Sequence, residues 1–196
     1  LFENINTEDI LKASVLATRS FNDLDPEYSK LATRLTLHRI YKTVLGSVFN
    51  FNNLEVDYKK AFINNIELGV SSGRLSRQML DFDYYKLAES LKPERDNNFD
   101  YLGIQTVYDR YLLRFGKENL VKETPQAFWM RVAMGLALRE SNKEEMAVKF
   151  YDVLSKLDYV ASTPTLLHSG LAKPQLSSCF INTVEDDLHH IFKVYG

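Results

Sequence analysis

The strongest constraint in this sequence is a segment that is apolar around most of a helical circumference. Thr124-Pro125 has the form of a helix start, because proline at the first helical position loses no backbone hydrogen bond. The pattern continues to about Leu138, and its large apolar residues are Phe128, Trp129, Val132, Met134, Leu136 and Leu138. A helix without a polar face has to be covered on all sides. The segment therefore predicts a central core helix.

Most of the remaining sequence before Asp158 also has helical patterning. Capping residues and apolar spacing predict helices that begin at Asn6 or Thr7, at Asp25-Pro26 and at a Ser141–Glu144 capping box, and others over about 56–68, 80–91 and 101–114. The polar run 95–100 predicts a loop. The composition then changes. Residues 179–184 are rich in β-branched and aromatic side chains and predict a strand. Mainly helix followed by strand indicates that an α/β region begins near the end of the sequence.

Composition excludes several classes of function. The 196 residues carry 24 Lys and Arg against 26 Asp and Glu, a net charge of −2, whereas nucleic-acid and anionic-membrane binders usually have a basic excess. We therefore expect neither nucleic acid nor membrane as a partner. No apolar run is long enough to span a bilayer and no signal core is present at the N-terminus, so the expected location is cytoplasmic. The single cysteine, Cys179, excludes an intrachain disulfide.

One pair of short segments could carry chemistry, namely residues 162–165 and 177–179. Each lies at an expected loop–strand junction, where hydroxyls and free backbone N–H groups can converge on an anion. The alternative is ordinary turn chemistry, with Cys179 as a small buried hydrophobic residue. Asp186-Asp187 could bind a metal ion or a ribose hydroxyl, although spacing favours charge at a helix N-terminus. His189-His190 is better explained as a solvated pair, because adjacent helical residues diverge by about 100°.

These segments resemble a known family. The runs ASTPTLLHSG at 161–170 and PQLSSCF at 174–180 resemble the start of the catalytic barrel in the large subunit of class I ribonucleotide reductases. The runs YLGIQTVYDRYLL at 101–113 and ETPQAFWMRVA at 123–133 resemble the helical N-terminal domain of that subunit. The resemblance implies a mainly α N-terminal helical domain over 1–157. This domain would lead, over 158–196, into the first strands of an incomplete α/β, ten-stranded reductase-type barrel.

The resemblance also implies roles for individual residues. The family reduces ribonucleoside diphosphates to their 2′-deoxy forms by thiyl-radical chemistry. Thr163 matches a residue that binds the substrate phosphate region, Ser178 one that contacts substrate, and Cys179 a redox thiol that also contacts substrate. Asp186, Asp187 and Leu188 match the start of the effector site for deoxynucleoside triphosphates. No metal ligand is expected in this sequence.

The same resemblance implies partners. We expect no cofactor to bind these residues themselves, and we expect a metal-containing small subunit as the radical source. Further expected partners are ATP or deoxynucleotide effectors, a thioredoxin- or glutaredoxin-type reductant, the remaining C-terminal part of the large subunit, and other subunits in an oligomer. Because the thiol partner of Cys179 is absent, these residues are expected to be inert without the rest of the barrel. The alternatives are a piece of a cobalamin-dependent (class II) reductase and a non-enzymatic helical interaction module with a buried cysteine.

Overall fold

The structure is a computed structural model and describes residues 5–46, 49–116 and 119–195. The α-helices are α1 Thr7–Arg19, α2 Glu27–Val44, α3 Leu54–Ser71, α4 Tyr84–Glu89, α5 Tyr101–Thr106, α6 Pro125–Ala137, α7 Lys143–Ser155, α8 Thr163–His168 and α9 Leu188–Tyr195. Short 3-10 helices cover Phe51–Asn53, Arg77–Asp81 and Pro93–Asn98, and a π-helical turn covers Val107–Tyr111. Two short strands, β1 Arg114–Phe115 and β2 Leu120–Val121, pair as an antiparallel hairpin. The fold is mainly α, as the sequence predicts.

Helix α6 lies at the centre of the molecule. Pro125 is its first residue and Leu138 its C-cap, so the predicted limits are confirmed. Eleven of its thirteen residues are buried, including Phe128 and Trp129. It packs most extensively against α7, and residues of α2 and α3 contribute to the same core. An all-round apolar helix is stabilised only when its neighbours cover it, and that requirement places α6 inside.

The predicted starts of α1 and α2 are largely confirmed. The Asn6 side chain accepts a hydrogen bond from the Glu8 amide at the start of α1. The Asp25 carboxylate accepts one from the Glu27 amide, which opens α2 immediately after Pro26. These side chains satisfy amide donors that have no partner within the first helical turn.

Two helical predictions and one loop prediction need correction. The helix expected over 80–91 is divided into a 3-10 turn and α4, because the Asp83 side chain caps a new helix at the Lys86 amide. The loop expected over 95–100 is mostly the 3-10 helix Pro93–Asn98. The expected Ser141 cap is wrong, since α7 begins one residue later with Asn142 as its N-cap.

The helix expected over 101–114 ends early. After α5 the backbone widens into the π-helical turn, and Leu112 leaves it in an extended conformation at ψ 129°. The backbone N–H of Leu113 then donates to the Glu123 carboxylate over 2.9 Å. A tertiary acceptor therefore replaces the helical one, and the chain enters β1 instead of a further turn.

The C-terminal part differs most from expectation. Residues 162–165, predicted at a loop–strand junction, instead form the N-cap and first residues of α8, which packs on α6. The strand predicted over 179–184 is wrong, because this segment is exposed coil without backbone pairing to any described residue. A β-strand needs a neighbour to pair its N–H and C=O groups, and no strand of the described ranges pairs with this segment. In the described ranges only the hairpin and an isolated Leu75–Leu171 bridge have β pairing.

The division of the chain into 1–157 and 158–196 stays a prediction. Ala161, Leu166 and Leu171 lie in the same apolar core as α6, so the helical body continues to about Leu171. Residues 172–189 are all exposed. In the ranges that the structure describes, no helix has both the length and the apolar character needed to cross a bilayer.

Candidate functional site

Helix α8 presents the first group of predicted site residues. Thr163 is its first residue and is exposed to solvent. The Thr163 hydroxyl lies 3.2 Å from the Tyr111 hydroxyl, which is within hydrogen-bond distance. One turn of α8 also brings the Ser162 and Thr165 hydroxyls to 3.1 Å from each other. Four hydroxyl groups from two elements therefore lie at this end of α8.

The second predicted segment folds back toward α8. The His168 ring nitrogen Nδ1 lies 2.8 Å from the Gln175 carbonyl oxygen, and the Gln175 side chain donates to the Ser177 carbonyl oxygen. Ser178 and Cys179 follow directly and are both exposed, with Oγ and Sγ 3.7 Å apart. No hydrogen bond joins either of them to Thr163 in the described structure. The Thr165 hydroxyl donates to the Leu176 carbonyl oxygen over 3.5 Å, so the fold directs the second segment toward α8.

The predicted effector residues lie at the start of α9. Asp187 accepts a hydrogen bond from the His190 amide over 2.9 Å, so it acts as charge at a helix N-terminus, the interpretation that spacing favours. Asp186 and Leu188 are exposed. His190 is half-buried, and its Nδ1 accepts from the Glu185 amide, while His189 is exposed.

A buried ion pair lies behind α8. The Arg131 Nε donates to Glu123 Oε1 over 2.6 Å, and the two side chains are 1% and 5% exposed. Arg131 also donates to the carbonyl oxygens of Ser169, at 2.7 Å, and Tyr111, at 3.3 Å. A buried charge is tolerated when it is paired and its remaining donors are satisfied, and Arg131 meets both conditions. One guanidinium therefore holds the chain on both sides of the Thr163–Tyr111 contact.

The segment after α8 approaches the α6 backbone closely. The Ser169 hydroxyl donates to the Val132 carbonyl oxygen over 2.8 Å. A Cβ atom at Gly135 would lie 2.2 Å from the Gly170 amide nitrogen, a distance that no side chain can occupy. Gly170 itself has φ +81°, in the left-handed region that glycine adopts without strain. The two glycines thus allow α8 to dock directly on α6.

A cavity of about 540 Å³ opens beside Thr163 and Tyr111. Most of its wall is apolar, from Phe99, Val107, Trp129, Leu157, Val160, Ala161 and Leu166. Asn98, Asp100 and Thr106 add polar groups to the lining. The hydroxyl cluster therefore borders a mostly apolar recess instead of lying on a flat surface.

A second buried polar network lies around Asp96. Its carboxylate accepts hydrogen bonds from the Tyr41 hydroxyl at 2.6 Å, the Tyr58 hydroxyl at 2.8 Å and the Gln126 side chain at 2.7 Å. Gln126 in turn accepts from the Tyr151 hydroxyl at 2.8 Å. Burial raises the pKa of Asp96 to about 6, although its three donors act to lower it. Burial likewise raises the pKa of Tyr58 well above its ordinary value.

The sequence patterns do not indicate Tyr111, Glu123 or Arg131 as site residues. A usable signal was present, because Arg131 interrupts an otherwise apolar segment between Met130 and Val132. A cation inside a helix that has to be buried requires a carboxylate partner nearby. The identity of that partner follows only from the hairpin that brings Glu123 to α6.

Comparison with known proteins identifies the family. Residues 97–174 match the description "Ribonucleotide reductase, all-alpha domain". The chain is 40% identical over 195 residues, 99% of its length, to ribonucleoside-diphosphate reductase subunit alpha of Chlamydia pneumoniae. The corresponding subunit of Helicobacter pylori (strain ATCC 700392 / 26695) is 37% identical over 98% of the chain. The large subunit of Plasmodium falciparum (isolate Dd2) is 31% identical over 86%.

The chain belongs to the family of ribonucleotide reductase large subunits. It matches an N-terminal portion of that subunit, and the resemblance stated from sequence is confirmed. The match covers 18% of the length of the C. pneumoniae protein and 24% of the H. pylori protein.

Proposed function

We propose that this chain is the N-terminal part of a ribonucleotide reductase large subunit, to which it contributes substrate-binding loops and one redox-active thiol. The complete subunit reduces ribonucleoside diphosphates to 2′-deoxyribonucleoside diphosphates. The observation that carries this proposal is the 40% identity to a ribonucleoside-diphosphate reductase subunit alpha over 99% of the chain. The exposed positions of Thr163, Ser178 and Cys179 agree with it, since each can reach a ligand.

Thr163 binds the phosphate region of the substrate in this proposal, and Ser178 contacts the substrate beside the thiol. A phosphate oxygen accepts hydrogen bonds, and hydroxyls with loop N–H groups can supply them without a basic protein surface. The four hydroxyls at the start of α8 support this role, because they present polar groups at the edge of the apolar recess.

Cys179 supplies half of the reducing equivalents. Two thiols lose two electrons and two protons and form one disulfide, while the 2′-hydroxyl of the ribose leaves as water and hydrogen takes its place at C2′. The second thiol comes from the rest of the large subunit, since this chain has one cysteine. Thiol–disulfide exchange with a thioredoxin- or glutaredoxin-type reductant then restores both thiols. Exposure of Cys179 supports this cycle, because exchange requires access to the sulfur.

The wider assembly is also part of the proposal. A metal-containing small subunit generates the radical, and a deoxynucleoside triphosphate or ATP acts as effector within an oligomer. Asp186, Asp187 and Leu188 contribute to the effector site. The Asp186 carboxylate is exposed and has no hydrogen bond to a described residue, so it is open to a sugar hydroxyl.

The test uses the complete large subunit with its small subunit. Cys179→Ser should abolish sustained turnover with a thiol reductant, whereas the control Lys173→Ala, at an exposed residue outside the 177–179 segment, should retain turnover. Normal turnover of the Cys179→Ser enzyme would remove this thiol from the mechanism. The 196-residue chain should form no deoxynucleotide by itself, and activity there would contradict the requirement for a second thiol.

Two alternatives were a non-enzymatic helical module and a cobalamin-dependent reductase. A helical module with a buried cysteine is contradicted at that residue, because Cys179 is exposed. A cobalamin-dependent reductase is separated by repeating the assay with cobalamin and without the small subunit, a condition in which only that class of enzyme would turn over.

A further inference from the structure

The contact between Tyr111 and Thr163 joins two elements that are distant in sequence. Tyr111 ends the π-helical turn after α5, and Thr163 begins α8, 52 residues later. Their hydroxyl oxygens are 3.2 Å apart. The Tyr111 ring also stacks on Phe128 of α6, with centroids 6.1 Å apart. Tyr111 is therefore held by its ring while its hydroxyl reaches Thr163.

The buried Glu123–Arg131 pair holds both sides of this contact. On one side Arg131 donates to the Tyr111 carbonyl oxygen, and Glu123 accepts from the Leu113 amide. On the other side Arg131 donates to the carbonyl oxygen of Ser169, which directly follows α8. The backbone on both sides of the contact is thus held by charged groups in the core.

We propose that Tyr111 is a positioning residue, which orients the Thr163 hydroxyl toward the phosphate group of a ribonucleoside diphosphate. The inference rests on the proposed role of Thr163. A phosphate oxygen can only accept a hydrogen bond, so Thr163 has to donate its proton to the ligand. The Tyr111 hydroxyl then donates to Thr163 Oγ1, which leaves the Thr163 proton free for the substrate. Two hydroxyls in series also polarise each other, which strengthens the outer hydrogen bond.

The expected effect is on binding and not on the chemical step. Removal of one hydrogen-bond donor behind Thr163 should raise KM for the diphosphate by about 2- to 10-fold. The turnover number kcat should stay close to the wild-type value, because the contact is equally present in ground state and transition state.

The first test is Tyr111→Phe in the complete large subunit, assayed with its small subunit at one saturating effector concentration. Phenylalanine retains the ring that stacks on Phe128 and removes only the hydroxyl. Tyr108→Phe is the matched control, because Tyr108 lies in the same turn and its hydroxyl makes no hydrogen bond to a described residue. We expect a higher KM and a higher Kd for the diphosphate in Tyr111→Phe alone, with an unchanged melting temperature. Equal behaviour of the two variants would overturn the inference.

A double-mutant cycle separates this inference from the proposed function. Thr163→Val removes the hydroxyl that would bind phosphate, and it should raise KM by itself. Tyr111→Phe should then add nothing in the Thr163→Val background, yet should keep its effect in Thr163→Ser, which retains a hydroxyl. If the effects of Tyr111→Phe and Thr163→Val on KM are additive, positioning through Thr163 is overturned, while the proposed substrate role of Thr163 stays intact. An unchanged KM in Thr163→Val would instead overturn the proposed role of Thr163.

Discussion

Asp96 and Arg131 show two ways in which this protein buries a charged side chain. Arg131 has a carboxylate partner, and its remaining donors go to backbone carbonyl oxygens. Asp96 has no cationic side chain among its hydrogen-bond partners in the described structure and depends on neutral donors. Neutral donors compensate less of the cost of removing a carboxylate from water. Burial of Asp96 among neutral donors should therefore make the stability of the protein depend on pH.

Asp96 should make the protein less stable as pH rises from about 4 to 6. Its pKa is 3.8 ordinarily and about 6 in the folded protein, so the folded state binds the proton more tightly than the unfolded state. The free energy of unfolding should fall by about 3 kcal/mol across that window and level off above it. Urea unfolding between pH 4 and 7, followed by the fluorescence of buried Trp129, measures the slope.

Asp96→Asn should remove this slope, because asparagine does not titrate. The control is Asp158→Asn, an exposed aspartate, which should retain the wild-type pH dependence. A stability that is flat with pH in the wild-type protein would contradict the expected effect of Asp96 burial.

The helices differ in how far local sequence determines their ends. Capping side chains placed α1 and α2 correctly, because Asn6 and Asp25 act on amides two residues away. The end of α5 and the start of α7 were wrong. The Leu113 amide donates to the Glu123 carboxylate and not to a helical carbonyl oxygen. Glu123 is ten residues away, so the local residues around Leu113 do not predict this contact.

Gly135→Ala tests the docking of α8 on α6. In an open helix this change should stabilise by about 0.5 to 1 kcal/mol. Here the added Cβ would collide with the Gly170 backbone, so we expect destabilisation by about 1 to 3 kcal/mol. Urea unfolding of the variant and of the wild type shows directly whether the free energy of unfolding rises or falls.

Gly69→Ala in α3 is the comparison for that variant. Its Cβ would lie 2.6 and 2.7 Å from Cδ1 and Cγ of the buried Leu75, which are side-chain and not backbone atoms. Its destabilisation should therefore be smaller than that of Gly135→Ala. A stabilised Gly135→Ala protein would show that α8 does not dock as closely as described.

At the scale of the whole molecule, an apolar helical body is followed by an exposed segment. Residues 172–189 are exposed and include Phe180 and Ile181, at 72% and 96% exposure. Helix α9 likewise exposes Leu188 and Phe192. Large apolar side chains in such positions indicate a surface that is covered in an assembly. This agrees with the proposal that the rest of the large subunit packs there.

The thiol of Cys179 should react with a disulfide reagent in the folded 196-residue chain as fast as in the chain unfolded by urea. Because the thiol is exposed, no local unfolding has to precede its reaction. A control places the only thiol at a buried site, with Ala88→Cys in a Cys179→Ser background, and should react only after unfolding. Slow reaction of native Cys179 would mean that the segment folds against the body.

The candidate site was predictable in part. The two motifs indicate Thr163, Ser178 and Cys179 as site residues, and their roles stay predictions. Tyr111 was not indicated, because its relation to Thr163 depends on the π-helical turn and the packing of α8 on α6. The Asp187 cap was predictable, since its partner is three residues away in sequence.

The sequence by itself determined the helical class, the central position of α6 and the family. Those properties depend on periodic apolar spacing and on motifs of consecutive residues, which the chain carries before it folds. Only the tertiary structure decided where α5 ends, how Arg131 finds Glu123, and which hydroxyl lies beside Thr163. Each of those depends on atoms distant in sequence, whose interactions form only when burial brings them together and removes competing water.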